Sequence, residues 1–229
     1  MQKVIHYNPR LQHQVDHAQA FLASGFTATP HVQVDADVHV VSGPWYALDQ
    51  WKHHPRTLKI DRAWWGDPDN ISIGWLNPDG TRRFASGSAP RPKPRYEPWG
   101  TRECSCLILA DYGQDVGSIE YEASKRFITI EVRQHPADTK EKQVDLKSNI
   151  RLRDVIICSK GTAGFEAIMM GKPVICLSEQ NELMPVCAGS MDAELYRGDR
   201  DQWLHDMSYK QFSLSEIADG TAWELLRDV

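Results

Sequence analysis

The amino-acid sequence predicts an α/β protein organised as two lobes. Three observations carry that expectation. Short apolar runs alternate with stretches of helical pattern on both sides of position 90, the signature of parallel strands joined by helices. A proline-rich segment, APRPKPRYEPW at 89–99, separates the two sides. The stretch 155–177, VIICSKGTAGFEAIMMGKPVICL, reads in one pass as strand, tight turn, helix and strand.

In the first half, 4–7 reads as a strand and 12–23 as a helix stopped by Gly25. Residues 38–41 form an apolar strand closed by Ser42, Gly43 and Pro44; a helical pattern at 46–52 then leads to a strand at 57–60. From Asn70 the pattern changes: Ile71, Ile73 and Trp75 alternate, 77–80 has turn composition, and 82–84 returns as a hairpin. The segment 89–99 holds four of the thirteen prolines and can sustain neither a helix nor a central strand, so 89–101 is expected to link a lobe at 1–88 to one at 102–229. In the second half, strands are expected at 106–110 and 128–132 and a helix at 118–126, followed by the loop RQHPADTK. After the motif at 155–177 come helical patterns near 200–207 and 214–226.

The 229 residues suffice to bury a core, and 41% hydrophobic with 25% charged residues is an ordinary globular balance. No apolar run approaches the ~20 residues of a membrane helix, and the start MQKVIHYNPR does not read as a secretory signal. A soluble, cytoplasmic protein without membrane insertion is expected, in the host cytoplasm if a phage encodes it. The net charge of −5 argues against broad attraction to nucleic acid, although Arg82, Arg83, Arg91, Lys93 and Arg95 form a local basic cluster. Its simpler reading is a solvated linker. Five cysteines suit reduced thiols, with Cys158 and Cys176 inside expected strands; Cys104 and Cys106 form only a CxC, which is poor spacing for zinc. His13 and His17 share a helix face four residues apart, but spacing nominates no third ligand, so no metal site is expected.

Two strand ends carry the candidate chemistry. A helix beginning near Thr162 leaves its first N–H groups unpaired at the turn of Ser159, Lys160 and Gly161, where an anion such as a phosphate is favoured. Glu166 lies one turn further on and can accept hydrogen bonds from sugar or ribose hydroxyls, or simply face solvent. Neither the P-loop nor the GxGxxG pattern is met. The second strand end carries Arg133, Gln134, His135 and Pro136; ligands of open α/β sheets bind outside the carboxyl ends of strands, so His135 and Ser159 face one crevice if their strands are near neighbours.

The strand, RQHP and DVIICSKGTAGFEAIMMGKPVICL together resemble the C-terminal, donor-binding half of GT-B glycosyltransferases, particularly capsule-type sugar transferases. Arg133, His135, Pro136, Ser159, Thr162, Glu166, Gly171, Lys172 and Pro173 occupy matching positions over about half of the chain. The chain is much shorter than a usual member, and Lys160 stands where small or polar residues are commoner. The resemblance implies a compact GT-B-like arrangement of two Rossmann-like lobes with a cleft between them. It implies a nucleotide sugar as co-substrate, with no further cofactor, held by Arg133, His135, Ser159, Lys160, Gly161, Thr162 and Glu166. In the first half DRAWWGDPDN is similar to an acidic, aromatic strand-end segment of those transferases, which makes Asp61 the first candidate for the base that deprotonates an acceptor hydroxyl. Asp67 and Asp16 stand behind it, and Arg62, Trp64 and Trp65 are candidate acceptor contacts. Asp61 could instead cap its strand or pair with Arg62, and Asp67, Asp69 and Asn70 read as a turn rather than a calcium loop.

Small GT-B-like enzymes include phage enzymes that glycosylate hydroxymethylated DNA bases, so the acceptor is either modified DNA or a glycan or small molecule. A non-catalytic nucleotide- or sugar-binding module and a nucleotide-sugar epimerase are the alternatives to a transferase.

Overall fold

The computed structural model describes residues 1–30, 34–42, 54–66, 68–139, 143–159, 162–178 and 182–229. It divides into two units, Met1–Pro92 with Leu204–Val229, and Lys93–Trp203. The helical pattern expected at 46–52 lies outside the described residues, as do Asp67, Lys160 and Gly161.

The first unit opens with strand β1 (Lys3–His6), helix α1 (Gln12–Ala23) and strand β2 (Thr27–Thr29). Helix α1 stops where Gly25 adopts φ +84°, a left-handed conformation that costs glycine little. Strands β3 (Val38–Ser42) and β4 (Thr57–Arg62) follow, then β5 (Asn70–Leu76) and the short β6 (Arg82–Arg83). β2, β1, β3 and β4 are parallel neighbours in that order, and β5 runs antiparallel to β4 and to β6. β3 is buried at every position, as a central strand covered on both faces requires. The turn expected at 77–80 closes the β5–β6 hairpin, with Asn77 N–H donating to Thr81 O at 2.9 Å and Gly80 at φ +86°.

The second unit contains β7 (Ser105–Leu109), α2 (Gly117–Ser124), β8 (Thr129–Arg133), α3 (Leu146–Arg151), β9 (Val155–Cys158), α4 (Thr162–Met169) and β10 (Val174–Cys176). Its sheet is parallel throughout, in the order β10-β9-β7-β8. The core beneath it includes Cys106, Ile108, Phe127, Val155, Ile157 and Ile175. The parallel strands of both units therefore share one winding: the second strand lies on one side of the first, and the third and fourth on the other. This is a Rossmann-like α/β pattern, built twice.

The helical pattern near 200–207 becomes α5 (Asp201–Ser208), across which the division between units falls. The rest of the chain departs from its expected place in the second half. β11 (Gln211–Ser213) pairs antiparallel with β5 and joins the first sheet, because Phe212 completes the core formed by Ile73, Trp75 and Leu58. The single helical pattern at 214–226 resolves into α6 (Leu214–Ala218) and α7 (Thr221–Leu226), broken at Gly220 with φ +88°. Ser213 and Glu216 form a capping box at the head of α6, and Trp75 Nε1–H donates to Leu226 O at 2.6 Å.

The proline-rich segment is irregular, as expected, but it is packed. Glu97 N–H donates to Met169 O at 2.8 Å and Gly100 N–H to Gly171 O at 2.8 Å, so the segment straps the end of α4. Arg200, 2% exposed, lies between the rings of Tyr96 and Trp99 at 4.0 and 3.8 Å and donates to the carbonyls of Ile168 and Glu97. A cation at a helix C-terminus satisfies its last carbonyls and complements its dipole. Among the described residues no helix is long and apolar enough to cross a membrane.

Candidate functional site

In the second unit the connection from β7 leads to β8 on one side and the next, from β8, crosses back to β9 on the other, so the switch point lies between the carboxyl ends of β7 and β9. Ligands of open α/β sheets settle at such points, because the flanking loops diverge there and leave a crevice. The loop after β7 carries Asp111, Tyr112, Gly113 and Gln114; Ser159 directly follows β9; α4 begins at Thr162. Gln114 Nε2–H donates to Ser159 Oγ at 3.2 Å, while Gln114 Oε1 accepts the Asp111 N–H at 2.9 Å. One amide side chain thus fixes the loop and joins it to the serine across the switch point.

Helix α4 can lie close to its strand because Gly164 has no side chain: a Cβ there would meet Leu183 Cδ1 at 2.6 Å and Cys158 Sγ at 2.8 Å. Phe165, Ala167 and Ile168 are buried, whereas Glu166 is half-buried and its carboxylate has no hydrogen-bond or ion-pair partner among the described residues. Beneath Ser159, Cys158 and Cys176 face each other across the β9–β10 register, and Cys176 Sγ–H donates to Ser159 O at 3.4 Å. A hydrogen bond to Cys176, then burial, raises the Cys158 thiol well above the ordinary range. Cys158 is a neutral core group rather than a nucleophile.

β8, on the other side of β7, carries the second candidate pair. His135 is exposed; its Nδ1 accepts the Ala137 N–H at 3.2 Å, so the neutral ring carries its proton on Nε2, a donor for an anion. Its ring stands at 77° to that of Tyr112, with centroids 5.8 Å apart. Arg133 is engaged differently: Nη1 donates to Val144 O at 2.6 Å and to Asn149 Oδ1, holding α3 against the strand end. Asn149 in turn donates to Glu131 Oε1 at 3.1 Å, and Arg153 pairs with Glu131 Oε2.

In the first unit Asp61, the penultimate residue of β4, is a third exposed and paired with Lys59 Nζ at 3.1 Å and Arg82 Nη1 at 3.4 Å. The pairing with Arg62 envisaged from sequence gives way to these, because Lys59, on the same strand face, and Arg82, on the neighbouring hairpin, reach the carboxylate. Arg82 also donates to Ser72 Oγ at 3.1 Å and lies over the Phe84 ring at 4.7 Å. Arg62 is exposed. Trp64 and Trp65 are half-buried on a loop that Gln211 fixes from β11: its Oε1 accepts the Trp64 N–H at 2.9 Å, and its Nε2–H donates to Trp65 O at 3.2 Å. Asp16 lies one turn into α1 and accepts a hydrogen bond from Gln12 at 2.8 Å.

Three of the five residues of the basic cluster are paired within the fold. Arg82 pairs with Asp61, Arg91 with Glu216 at 2.9 Å, and Lys93 with Asp201 at 3.3 Å. Sequence reading missed Tyr112 and Gln114; a polar loop straight after an apolar strand was the available signal, but nothing local shows that it faces Ser159.

No protein-family model matches the chain, and no curated protein matches it in sequence. Among solved structures it is similar to the beta Kdo 2,7 transferase of Thermosulfurimonas dismutans KpsC, with a TM-score of 0.54 and 12% identity over 98% of each chain. It is also similar to the beta Kdo 2,4 transferase of that KpsC, with a TM-score of 0.52 and 13% identity over 91% of this chain and 89% of the other. At such identity the likeness is one of fold.

Proposed function

We propose that the chain is a glycosyltransferase of GT-B-like plan, taking a sugar from a nucleotide-sugar donor held by the second unit to an acceptor hydroxyl presented by the first. The observation that supports the reading is Ser159 tied to Gln114 at the switch point, with the Glu166 carboxylate on the glycine-packed α4 that follows and His135 after β8, on the far side of β7. A donor and an acceptor of Kdo chemistry are the first to try, since both similar structures are Kdo transferases.

In the proposed reaction the acceptor oxygen attacks the anomeric carbon, the bond from that carbon to the phosphate oxygen breaks, and a carboxylate takes the acceptor's proton. The departing phosphate gathers negative charge at the head of α4, where unpaired N–H groups and Lys160 favour it; His135, following β8, contacts the donor two strands away. Glu166 accepts hydrogen bonds from donor hydroxyls. Arg133 supports the site by fixing α3 at the end of β8. Asp61 is the first candidate for the base, a carboxylate near the end of β4 flanked by Lys59 and Arg82. Asp67 and Asp16 follow it, and Arg62, Trp64 and Trp65 are the proposed acceptor contacts. No resident cofactor is proposed. A glycan or small hydroxyl compound is the favoured acceptor, because three of the five cations of the basic cluster are already paired with carboxylates.

Lys59 and Arg82 favour a second reading, a binding module without turnover, because both engage Asp61 Oδ2 within the fold, as a structural ion pair does. Mass-spectrometric detection of sugar transfer decides between them. The expected result is transfer insensitive to EDTA and to moderate salt, and lower by about a hundredfold or more in Asp61→Asn. Donor binding without transfer or hydrolysis supports the module. Transfer to hydroxymethylated DNA with steep salt dependence replaces the glycan acceptor by DNA.

A further inference from the structure

Tyr112 is 71% exposed, yet it does not sit on a loose loop. Its neighbours are anchored at both adjacent strand ends: Gly113 N–H donates to Asp138 Oδ2 at 2.7 Å in the loop after β8, and Gln114 donates to Ser159 Oγ at 3.2 Å at the end of β9. Within the loop the Asp111 N–H closes onto Gln114 Oε1 at 2.9 Å. Scattered exposed aromatics need no explanation, but a ring held in water by an anchored loop at a switch point is different. Its near-perpendicular contact with His135 makes a two-walled corner of aromatic surface.

We infer that this corner receives the nucleobase of the donor, stacked on the Tyr112 ring with the His135 ring as its second wall. The inference rests on the nucleotide-sugar reading and goes beyond it by assigning the base a position and a residue. The spacing fits. From β9, where the phosphate would sit at the head of α4, to β8 is two strand steps, about 10 Å. A nucleotide laid along the carboxyl ends of β9, β7 and β8 would place its phosphate at one end of that span and its base at the other. The ribose would then pass over Ser159 and Gln114, whose hydroxyl and amide suit it. Stacking on an aromatic face tolerates any base, so Tyr112 would supply affinity, and base identity would fall to polar groups around it.

Calorimetric titration with CMP, UMP, GMP and TMP tests the inference on the unmodified protein and on Tyr112→Ala, Tyr112→Phe and Glu166→Ala. Because the side chain is exposed, the Tyr112 variants should fold. The expected result is that Tyr112→Ala weakens the preferred nucleotide by about tenfold or more while Tyr112→Phe stays within about twofold. Unchanged binding in Tyr112→Ala, with weakened binding in Glu166→Ala, overturns the inference and leaves the donor-site reading standing. Equal losses in Tyr112→Ala and Tyr112→Phe also overturn it, since they point to the hydroxyl rather than the ring face. Failure of all four nucleotides to bind the unmodified protein overturns the donor-site reading and this inference together.

Discussion

His39 shows how much a single buried residue can decide. It lies within β3, fully buried, with its Nδ1 3.0 Å from His6 Nε2 and its Nε2 3.1 Å from Ala36 O. Burial lowers its pKa from 6.5 to about 4, helped by repulsion from His54 and His6 and opposed by Asp35 and the Ala36 carbonyl. The folded protein therefore holds His39 neutral where the unfolded chain would protonate it. This contribution to stability is complete above pH 6.5, is lost as the pH falls toward 4, and is level below that. Urea unfolding should show the unmodified protein losing more stability between pH 6.5 and 5 than His39→Gln, by on the order of 1 kcal/mol. Equal slopes would mean that His39 is not the titrating group. At this scale the sequence was partly legible. Ser159, Glu166 and His135 could be placed at strand and helix ends by pattern alone, because those ends are local. That Arg133 holds α3, and that Asp61 pairs with Lys59 and Arg82, depends on neighbours brought together only by folding.

At the scale of elements, the proline-rich strap and α4 belong together. Prolines excluded regular structure from 89–99, and that much was legible. What the pattern could not show is that the remaining N–H groups of such a segment still donate, here from Glu97 and Gly100 to the carbonyls at the end of α4. Gly171 makes the approach possible: its φ is +68°, and a Cβ there would lie 2.0 Å from Pro98 O. Gly171→Ala should cost about 2 kcal/mol or more, the left-handed penalty plus displacement of backbone. Gly25→Ala, at φ +84° with nothing within 4 Å of the added carbon, should cost only the penalty, about 1 kcal/mol. Denaturant unfolding of the two variants compares them directly, and equal losses would mean that the strap yields. Helix α3 and strand β2 were not foreseen. α3 has six residues, set by the Asp145 cap on Ser148 N–H at 3.1 Å and by Arg133, and β2 has three, too few for a period to show.

On the scale of the whole molecule, the repeated winding explains why two α/β halves were readable: each strand-helix-strand step is local and leaves its own period. The return of 204–229 to the first unit was not readable, since β11 has three residues and its partner β5 lies far away in sequence; pairing Phe212 with Ile71 leaves no local mark. Cutting the chain after Trp203 would uncover β5 and the core around Trp75. The truncated protein should lose cooperative unfolding of its first unit, and retained cooperative unfolding of both units would contradict that role. The proposed function requires the second unit to hold a nucleotide sugar at its switch point. Calorimetric titration of the unmodified protein and of Glu166→Ala with UDP-, CMP-, GDP- and TDP-sugars tests it most directly. The expected result is saturable binding of one nucleotide class, weakened about tenfold or more in Glu166→Ala by loss of charge-assisted hydrogen bonds to the donor. Failure of the unmodified protein to bind any member of the panel would contradict it.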